Sequence, residues 1–169
     1  MSLAEPFNLR RFVDDKRELL RPPVGNARVF EDGDFIVMVV GGPNERRDYH
    51  IDPGEELFYQ LEGDITLRVL DGDERRDITI REGEVFLLPA GVPHSPKRGP
   101  DTVGLVIERR RREGEVDALR WLCDRCGGLT YEHRFVLADI TTELAAAIQR
   151  VRDDASLRTC GHCGAVSAP

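Results

Sequence analysis

Between Ala27 and Arg109 the chain is cut into short runs rich in β-branched and aromatic residues: "ARVF", "DFIVMVV", "LFYQL", "ITLRVL", "DITI", "EVFLLP" and "GLVIER". Turn signals stand between them, including "EDGD", "GGPN", "EGD", "DGDERRD", "REGE" and "PAGVP". Runs of this kind read as strands, and the Gly, Pro, Asn and Asp clusters read as tight connections. No helical pattern fits in the intervals. A parallel sheet needs a crossover of about a dozen residues or more at each connection, so parallel βαβ units are excluded. What remains is a mainly β fold, a sandwich or a closed barrel.

The flanks have a different period. "FNLRRFVDDKRELLRPP" reads as a short helix, with Asn8 as its cap and Pro22 and Pro23 just beyond its end. "RPPVGN" is a stiff connector or a loop over a pocket. After Arg109 a polar stretch, "RRRREGEVDA", reads as a linker, and its arginines as a solvated strand end. This places a domain boundary near Arg112 to Glu115, with a barrel over residues 1–112 and a small module over 113–169. Within the module "YEHRFVL" reads as a strand, and "TTELAAAIQRVRDD" as a helix capped by Thr141 or Thr142.

Composition narrows the partners. With 169 residues and a net charge of -7, the chain lacks the basic excess that a nucleic-acid surface wants. No apolar run approaches the roughly 20 residues that span a bilayer. The start, "MSLAEPFNLRRF", has no basic segment followed by an apolar one, so a cytoplasmic protein is expected.

Two stretches within the strand region carry chemistry. The first contains Gly42, Asp48, His50, Glu56 and Gly63; the second is "GEVFLLPAGVPH", with Gly83, Pro89, Gly91 and His94. Their spacing resembles the two signature motifs of the cupin superfamily, small jelly-roll β-barrels that hold one metal in the lumen. The first motif departs from the family at one place, where Asp48 stands for the first of two histidines. The family spacing from glutamate to the closing glycine selects Glu56 over Glu55. Strand geometry makes the same choice, because successive residues point to opposite faces. His50, Glu56 and His94 then form a two-histidine, one-carboxylate set. On one face of a metal it leaves positions open, as in the non-haem Fe(II) oxygenases.

The four cysteines form two pairs, Cys123-x-x-Cys126 and Cys160-x-x-Cys163, each followed by glycine. In a chain expected to be cytoplasmic, such pairs argue for metal before disulfide. Each knuckle offers two thiolates to one tetrahedral ion, Zn(II) or Fe, in a closed structural site. The segment resembles a rubredoxin-like or zinc-ribbon module. His162 would be redundant there, and His133 reads as a surface residue.

A narrower resemblance covers nearly the whole chain. "RPPVGN", "VVGGPNERRDYH", "LLPAGVPHSPKR", "LVIER" and the two-CxxC tail together resemble the bacterial 3-hydroxyanthranilate 3,4-dioxygenases. The resemblance implies an oxidoreductase that opens the ring of 3-hydroxyanthranilate with O2. Its product would be 2-amino-3-carboxymuconate semialdehyde, the precursor of quinolinate in NAD biosynthesis or kynurenine catabolism. It implies Fe(II) on His50, Glu56 and His94. It implies that Arg46 and Arg98 grip the substrate carboxylate, that Glu108 meets the polar ring groups and assists proton transfer, and that Asn26 lies near O2. It also implies a homodimer.

Arg47 stands beside Arg46, and strand alternation lets only one of them face inward. Arg98 stands where cupins generally carry asparagine. A guanidinium inside a barrel needs an anion, and a carboxylate matches its planar fork. Two other readings are a non-catalytic cupin that senses a small aromatic acid while its zinc ribbon docks a partner, and a cupin isomerase using another divalent metal.

Strand parity yields a first expected outcome. Glu56→Ala loses bound Fe(II) and Glu55→Ala keeps it, as metal analysis of the two purified variants will register; the opposite pattern would reassign the ligand.

Overall fold

The computed structural model describes residues 5–22, 25–44, 46–72, 74–137 and 140–169, without the side chains of 140–142. The stop expected at Pro23 lies outside the described residues, and Thr141 and Thr142, expected to cap the second helix, lie inside its first turn because the helix begins at Ile140. In chain order the strands are β1 (Asn26–Arg28), β2 (Phe35–Gly41), β3 (Tyr49–Ile51), β4 (Glu56–Glu62), β5 (Ile65–Asp71) and β6 (Glu74–Ile80). They continue with β7 (Val85–Leu88), β8 (His94–Arg98), β9 (Val103–Arg109), β10 (Asp117–Leu122) and β11 (Leu129–Phe135). Helix α1 (Leu9–Lys16) precedes them and α2 (Ile140–Asp153) follows.

The strands make two antiparallel sheets, of order β1-β2-β9-β4-β7 and β11-β10-β3-β8-β5-β6. This is the mainly β, cupin-type barrel that the strand runs and motifs anticipate. Alternation sets the interior. On β5 Ile65, Leu67 and Val69 are buried while Thr66, Arg68 and Leu70 are partly exposed. The inward rows of both sheets meet in one core that includes Ile36, Met38, Phe58, Leu67 and Val106. Helix α1 is capped as expected, the Asn8 side chain accepting from the Arg11 amide at 3.0 Å. Its Val13, with Leu20 of the 3₁₀ turn that follows, packs on Ala27, Val39 and Val103 in a second, smaller core. None of the described helices is long and apolar enough to cross a membrane.

Three strands escape the hydrophobic pattern: β3, β8 and β10. They are short, and each sets a polar residue inside: His50 on β3, His94 and Arg98 on β8, and Asp117 on β10. β3 meets β8 at one position, His50 opposite His94. Farther along β8, the Asn44 side chain takes the place of a strand, donating to the Pro96 carbonyl at 2.9 Å and accepting from the Arg98 amide at 3.2 Å. Pro96 has no N–H to offer that side of β8, where no backbone ladder asks for one.

The domain division near Arg112 to Glu115 cuts through a sheet. It falls in the turn between β9 and β10, and β10 pairs antiparallel with β3, placing Leu119 opposite His50. Leu119 and Trp121, with Leu144, Ala147, Ile148 and Val151 of α2, belong to the same core as Met38 and Phe58. The "linker" concealed this because two of its charged residues, Arg111 and Asp117, are paired inside the protein. Arg111, expected in solvent, has a side chain only 3% exposed.

Leu119 is fully buried, so Leu119→Ala should lower unfolding stability by about 2–5 kcal/mol. Because β10 completes the barrel sheet, denaturant unfolding should show the whole chain shifting in one transition. Two transitions, with only one displaced, would restore an independent C-terminal module.

Candidate active site

The inward faces of β3, β4, β8 and β9 converge on one buried point. His50 and His94 come from paired positions on β3 and β8, and Glu56 opens β4. Their ligand atoms all lie within 4.8 Å of one another, and all three residues are buried. Glu55 is exposed. Glu56 Oε1 lies 3.1 Å from His94 Nε2 and 3.4 Å from His50 Nδ1, yet no hydrogen bond reaches it.

The outer nitrogens explain why. His94 Nδ1 donates to the Val92 carbonyl at 3.1 Å, which leaves a lone pair on Nε2. His50 Nε2 donates to Asp117 at 2.8 Å, which leaves a lone pair on Nδ1. Two lone pairs and a carboxylate oxygen therefore face one another, and such a set requires a cation. Burial disfavours charge on His50, but the hydrogen bond to Asp117 and the nearness of Glu56 and Glu108 outweigh it and push its pKa up to about 10. A divalent ion would supply the same positive charge, so the donor set fits a metal.

Above this point is a cavity that opens to solvent. Its walls are split. Met38, Val40, Phe58, Val106 and Leu144 supply apolar surface, and Asn26, Arg46, Arg98 and Glu108 supply polar groups. The choice between the two neighbouring arginines is visible here. Arg46 lines the cavity and is held by Asp48 through Nε at 3.1 Å and Nη2 at 2.5 Å. Arg47 is 45% exposed and pairs with Asp124. Asp48, at the position where cupins usually have a histidine, is a fully buried counter-ion to Arg46 and lies outside the ligand cluster.

Arg98 is 4% exposed and no described carboxylate pairs with it; Nη1 reaches only Gln60 Oε1, at 3.4 Å, and Nε is unpartnered. Burial, and then the charge of Arg46, pull its pKa down to about 10. Glycine makes the slot: a Cβ on Gly104 would stand 2.9 Å from Arg98 Nη1 and 2.8 Å from Gln60 Oε1. Asp48 pairs with Arg46 alone, so Arg98 retains positive charge in the cavity wall that an anion could match.

Glu108 on β9 stands directly opposite Glu56 on β4 and is 3% exposed. Burial and the charge of Glu56 raise its pKa to about 8, against the pull of His50 and Arg111. It can hold or release a proton near neutral pH.

The sequence pattern missed Arg111, Asp117 and Asp52. Asp52 had a readable signal, since it shares strand parity with Asp48 and His50. Arg111 and Asp117 had none, lying in what reads as linker. His133, read as a surface residue, stacks on Phe135 at 5.3 Å between ring centroids.

The cysteines also converge. Cys123 Sγ is 3.6 Å from Cys163 Sγ, and Cys126 Sγ is 3.6 Å from Cys160 Sγ. Sulfurs about 2.3 Å from one tetrahedral ion stand about 3.8 Å apart, so the donor set fits a closed metal site. Backbone N–H groups within the first knuckle hold the Cys123 thiol down to about 6.

The site can be set beside known proteins. The family described as 3-hydroxyanthranilic acid dioxygenase matches residues 1–152. A 3-hydroxyanthranilate 3,4-dioxygenase of Jannaschia sp. (strain CCS1) is 50% identical over 167 residues, covering 98% of this chain and 93% of the relative. That of Xanthomonas euvesicatoria pv. vesicatoria (strain 85-10) is 51% identical over 162 residues, covering 96% and 92%. Among solved structures, protein NMB1881 from Neisseria meningitidis is 23% identical with a TM-score of 0.50, over 62% of this chain and 99% of that one. A cupin-2 domain containing protein from Shewanella frigidimarina is 25% identical with a TM-score of 0.48, over 57% and 91%. The family match runs through the ligand strands, the cavity and both arginines into α2, and relatives about half identical extend it over the cysteine pairs: the chain belongs to the 3-hydroxyanthranilic acid dioxygenase family.

Proposed function

We propose that this protein is an Fe(II)-dependent dioxygenase that opens the ring of 3-hydroxyanthranilate with O2. The observation that carries the reading is the pairing, in one cavity, of a three-acceptor metal cluster with a buried arginine that lacks an anion. The names of its relatives support the substrate. When bound, Fe(II) supplies the redox chemistry between ring and O2 that no side chain provides.

The chain's own residues do the rest. His50, Glu56 and His94 would hold the metal beside the cavity they line. Arg98 and Arg46 bind the substrate carboxylate and fix the ring's orientation, which converts an encounter into a positioned reaction. Glu108 takes the proton of the ring hydroxyl and returns it later in the cycle. Asn26 contributes a polar amide to the same wall, near where O2 would enter. Met38, Phe58 and Val106 keep water from the reacting ring.

A non-catalytic sensor of an aromatic acid would use the arginines but has no need for an acid with a pKa raised to about 8 beside the metal cluster. The four cysteines hold Zn(II) or Fe structurally, as a reducing cytoplasmic setting allows. The direct test is O2 uptake and ring-opening absorbance by Fe(II)-loaded protein given 3-hydroxyanthranilate. One O2 should be consumed per ring opened, and no uptake would end the reading.

We also propose a homodimer formed by a second copy on the outer face of the five-stranded sheet. There Leu57 lies between Leu87 and Ile107, and Tyr59 between Val85 and Leu105, in cross-strand register. Val85 is 61% exposed, Leu87 53% and Phe35 60%, an apolar surface of the kind that isologous dimers cover. Sedimentation should show wild type as a dimer and Leu87→Arg as a monomer, whereas a monomeric wild type would refute the assembly.

Arg98 should decide specificity. Charge-assisted hydrogen bonds contribute roughly 1.5–3 kcal/mol, so Arg98→Ala should slow 3-hydroxyanthranilate turnover by about one to two decades. Turnover of 2-aminophenol, which has the chelating pair and no carboxylate, should change little, and iron content should hold. Equal losses on both substrates would mean that Arg98 supports the fold, leaving the carboxylate to Arg46.

A further inference from the structure

The chemistry just described leaves one buried cation unused. Arg111 follows β9, and its side chain meets three carboxylates. Its Nε and Nη2 grip Asp117 at 2.7 and 2.6 Å, and its Nη1 reaches Glu108 at 2.9 Å and Asp52 at 3.0 Å. The oxygen of Asp117 that accepts from Nη2 is the one that accepts from His50 Nε2 at 2.8 Å. One guanidinium thus touches the carboxylate behind a metal-facing histidine and the carboxylate in the substrate cavity.

We propose that Arg111 is the positioning residue of this site, fixing the His50 ring through Asp117 and the Glu108 carboxylate directly, so that metal-ligand geometry and proton transfer depend on one planar group. The inference rests on the dioxygenase reading for its proton-transfer arm and on the ligand cluster alone for its metal arm.

Shape is the first argument. A guanidinium donates along fixed in-plane directions, so gripping Asp117 with one edge orients Nη1 to donate to Glu108 and to the Arg109 carbonyl at 3.1 Å, with Asp52 beside it as an ion pair. A lysine ammonium would carry the charge without that constraint. Charge is the second. Oxygens of Asp52, Glu56 and Glu108 lie within 4.8 Å of one another, an oxygen set that would itself draw a divalent cation. Arg111 puts positive charge on Asp52 and Glu108, which leaves Glu56 to the two imidazoles. The residue thereby separates the acid meant for the metal from the acid meant for the substrate.

The test uses the full-length protein and the variants Arg111→Lys, Asp117→Asn and Glu108→Gln. Three quantities are read: Fe(II) affinity by chelator competition, Tm, and kcat and KM for 3-hydroxyanthranilate at saturating Fe(II). Arg111→Lys should keep Tm near wild type, weaken Fe(II) binding by about 10- to 100-fold and lower kcat by about 10- to 100-fold. KM should move less than about threefold, because Arg46 and Arg98 are untouched. Asp117→Asn should reproduce the affinity loss, and Glu108→Gln the kcat loss with native affinity.

Native affinity and native kcat in Arg111→Lys overturn the proposal, as does a lowered Tm with neither changed, or loss of one property without the other. If Arg111→Lys does not fold, Asp117→Asn decides, and native Fe(II) affinity there overturns it. Wild-type protein that binds Fe(II) without turning over the substrate would sink the dioxygenase reading separately, leaving the affinity measurement to judge the metal arm.

Discussion

A carboxylate taken out of water loses several kcal/mol of hydration unless a partner restores it, and this interior holds Asp48, Asp52, Glu56, Glu108 and Asp117. Each has a distinct solution. Asp48 is paired with Arg46, Asp52 and Asp117 share Arg111, and Glu108 combines a contact to Arg111 with a raised pKa near 8. Glu56 is matched by no arginine or lysine among the described residues, only by two imidazoles, whose inward nitrogens can face a proton or a metal. The barrel is arranged so that the one charge left unmatched on the acidic side falls where a metal fits. The one left unmatched on the basic side, Arg98, falls where a carboxylate fits.

Polar placement of this kind depends on apolar scaffolding. The ligand strands β3 and β8 touch at one pair, so each is held mainly by its other neighbour, β3 by β10 and β8 by β5. β10 supports β3 from the far side, Asn44 supports β8 beyond the pair, and Leu119 and Phe58 fill the space around the rings. Gly104 shows the same logic by omission, since its missing side chain is the space that Arg98 occupies.

How much was legible in the sequence follows from this division of labour. Strands whose one face is apolar, such as β2, β4, β5 and β9, announce themselves by alternation, and so does the ligand cluster, since cupin spacing and strand parity both point to Glu56. β3 and β8 do not, because they bury His50, His94 and Arg98, and β10 does not, because its apolar residues follow a charged stretch that ends in buried Asp117. A polar residue reads as exposed until its partner is known. The partner is far away in sequence: Asp117 serves His50, and Arg111 serves Asp52. For the same reason the sequence suggests a linker and a module boundary where the fold has an internal strand. The arginine pair is ambiguous in the sequence, and side-chain ion pairs resolve it, Arg46 with Asp48 and Arg47 with Asp124.

The position of β10 also bears on the order in which a newly made chain can mature. Synthesis delivers residues from the N-terminus, and structure begins to form as they emerge. A nascent chain that has appeared as far as Arg109 already contains His50, Glu56, His94 and Arg98. It still lacks Arg111, Asp117 and the strand that lines up beside β3. Until those arrive, His50 has no acceptor for its outer nitrogen and Asp52 and Glu108 share no cation. The metal-ligand cluster of this protein is therefore completed only when β10, which follows Arg111 in the chain, has joined β3.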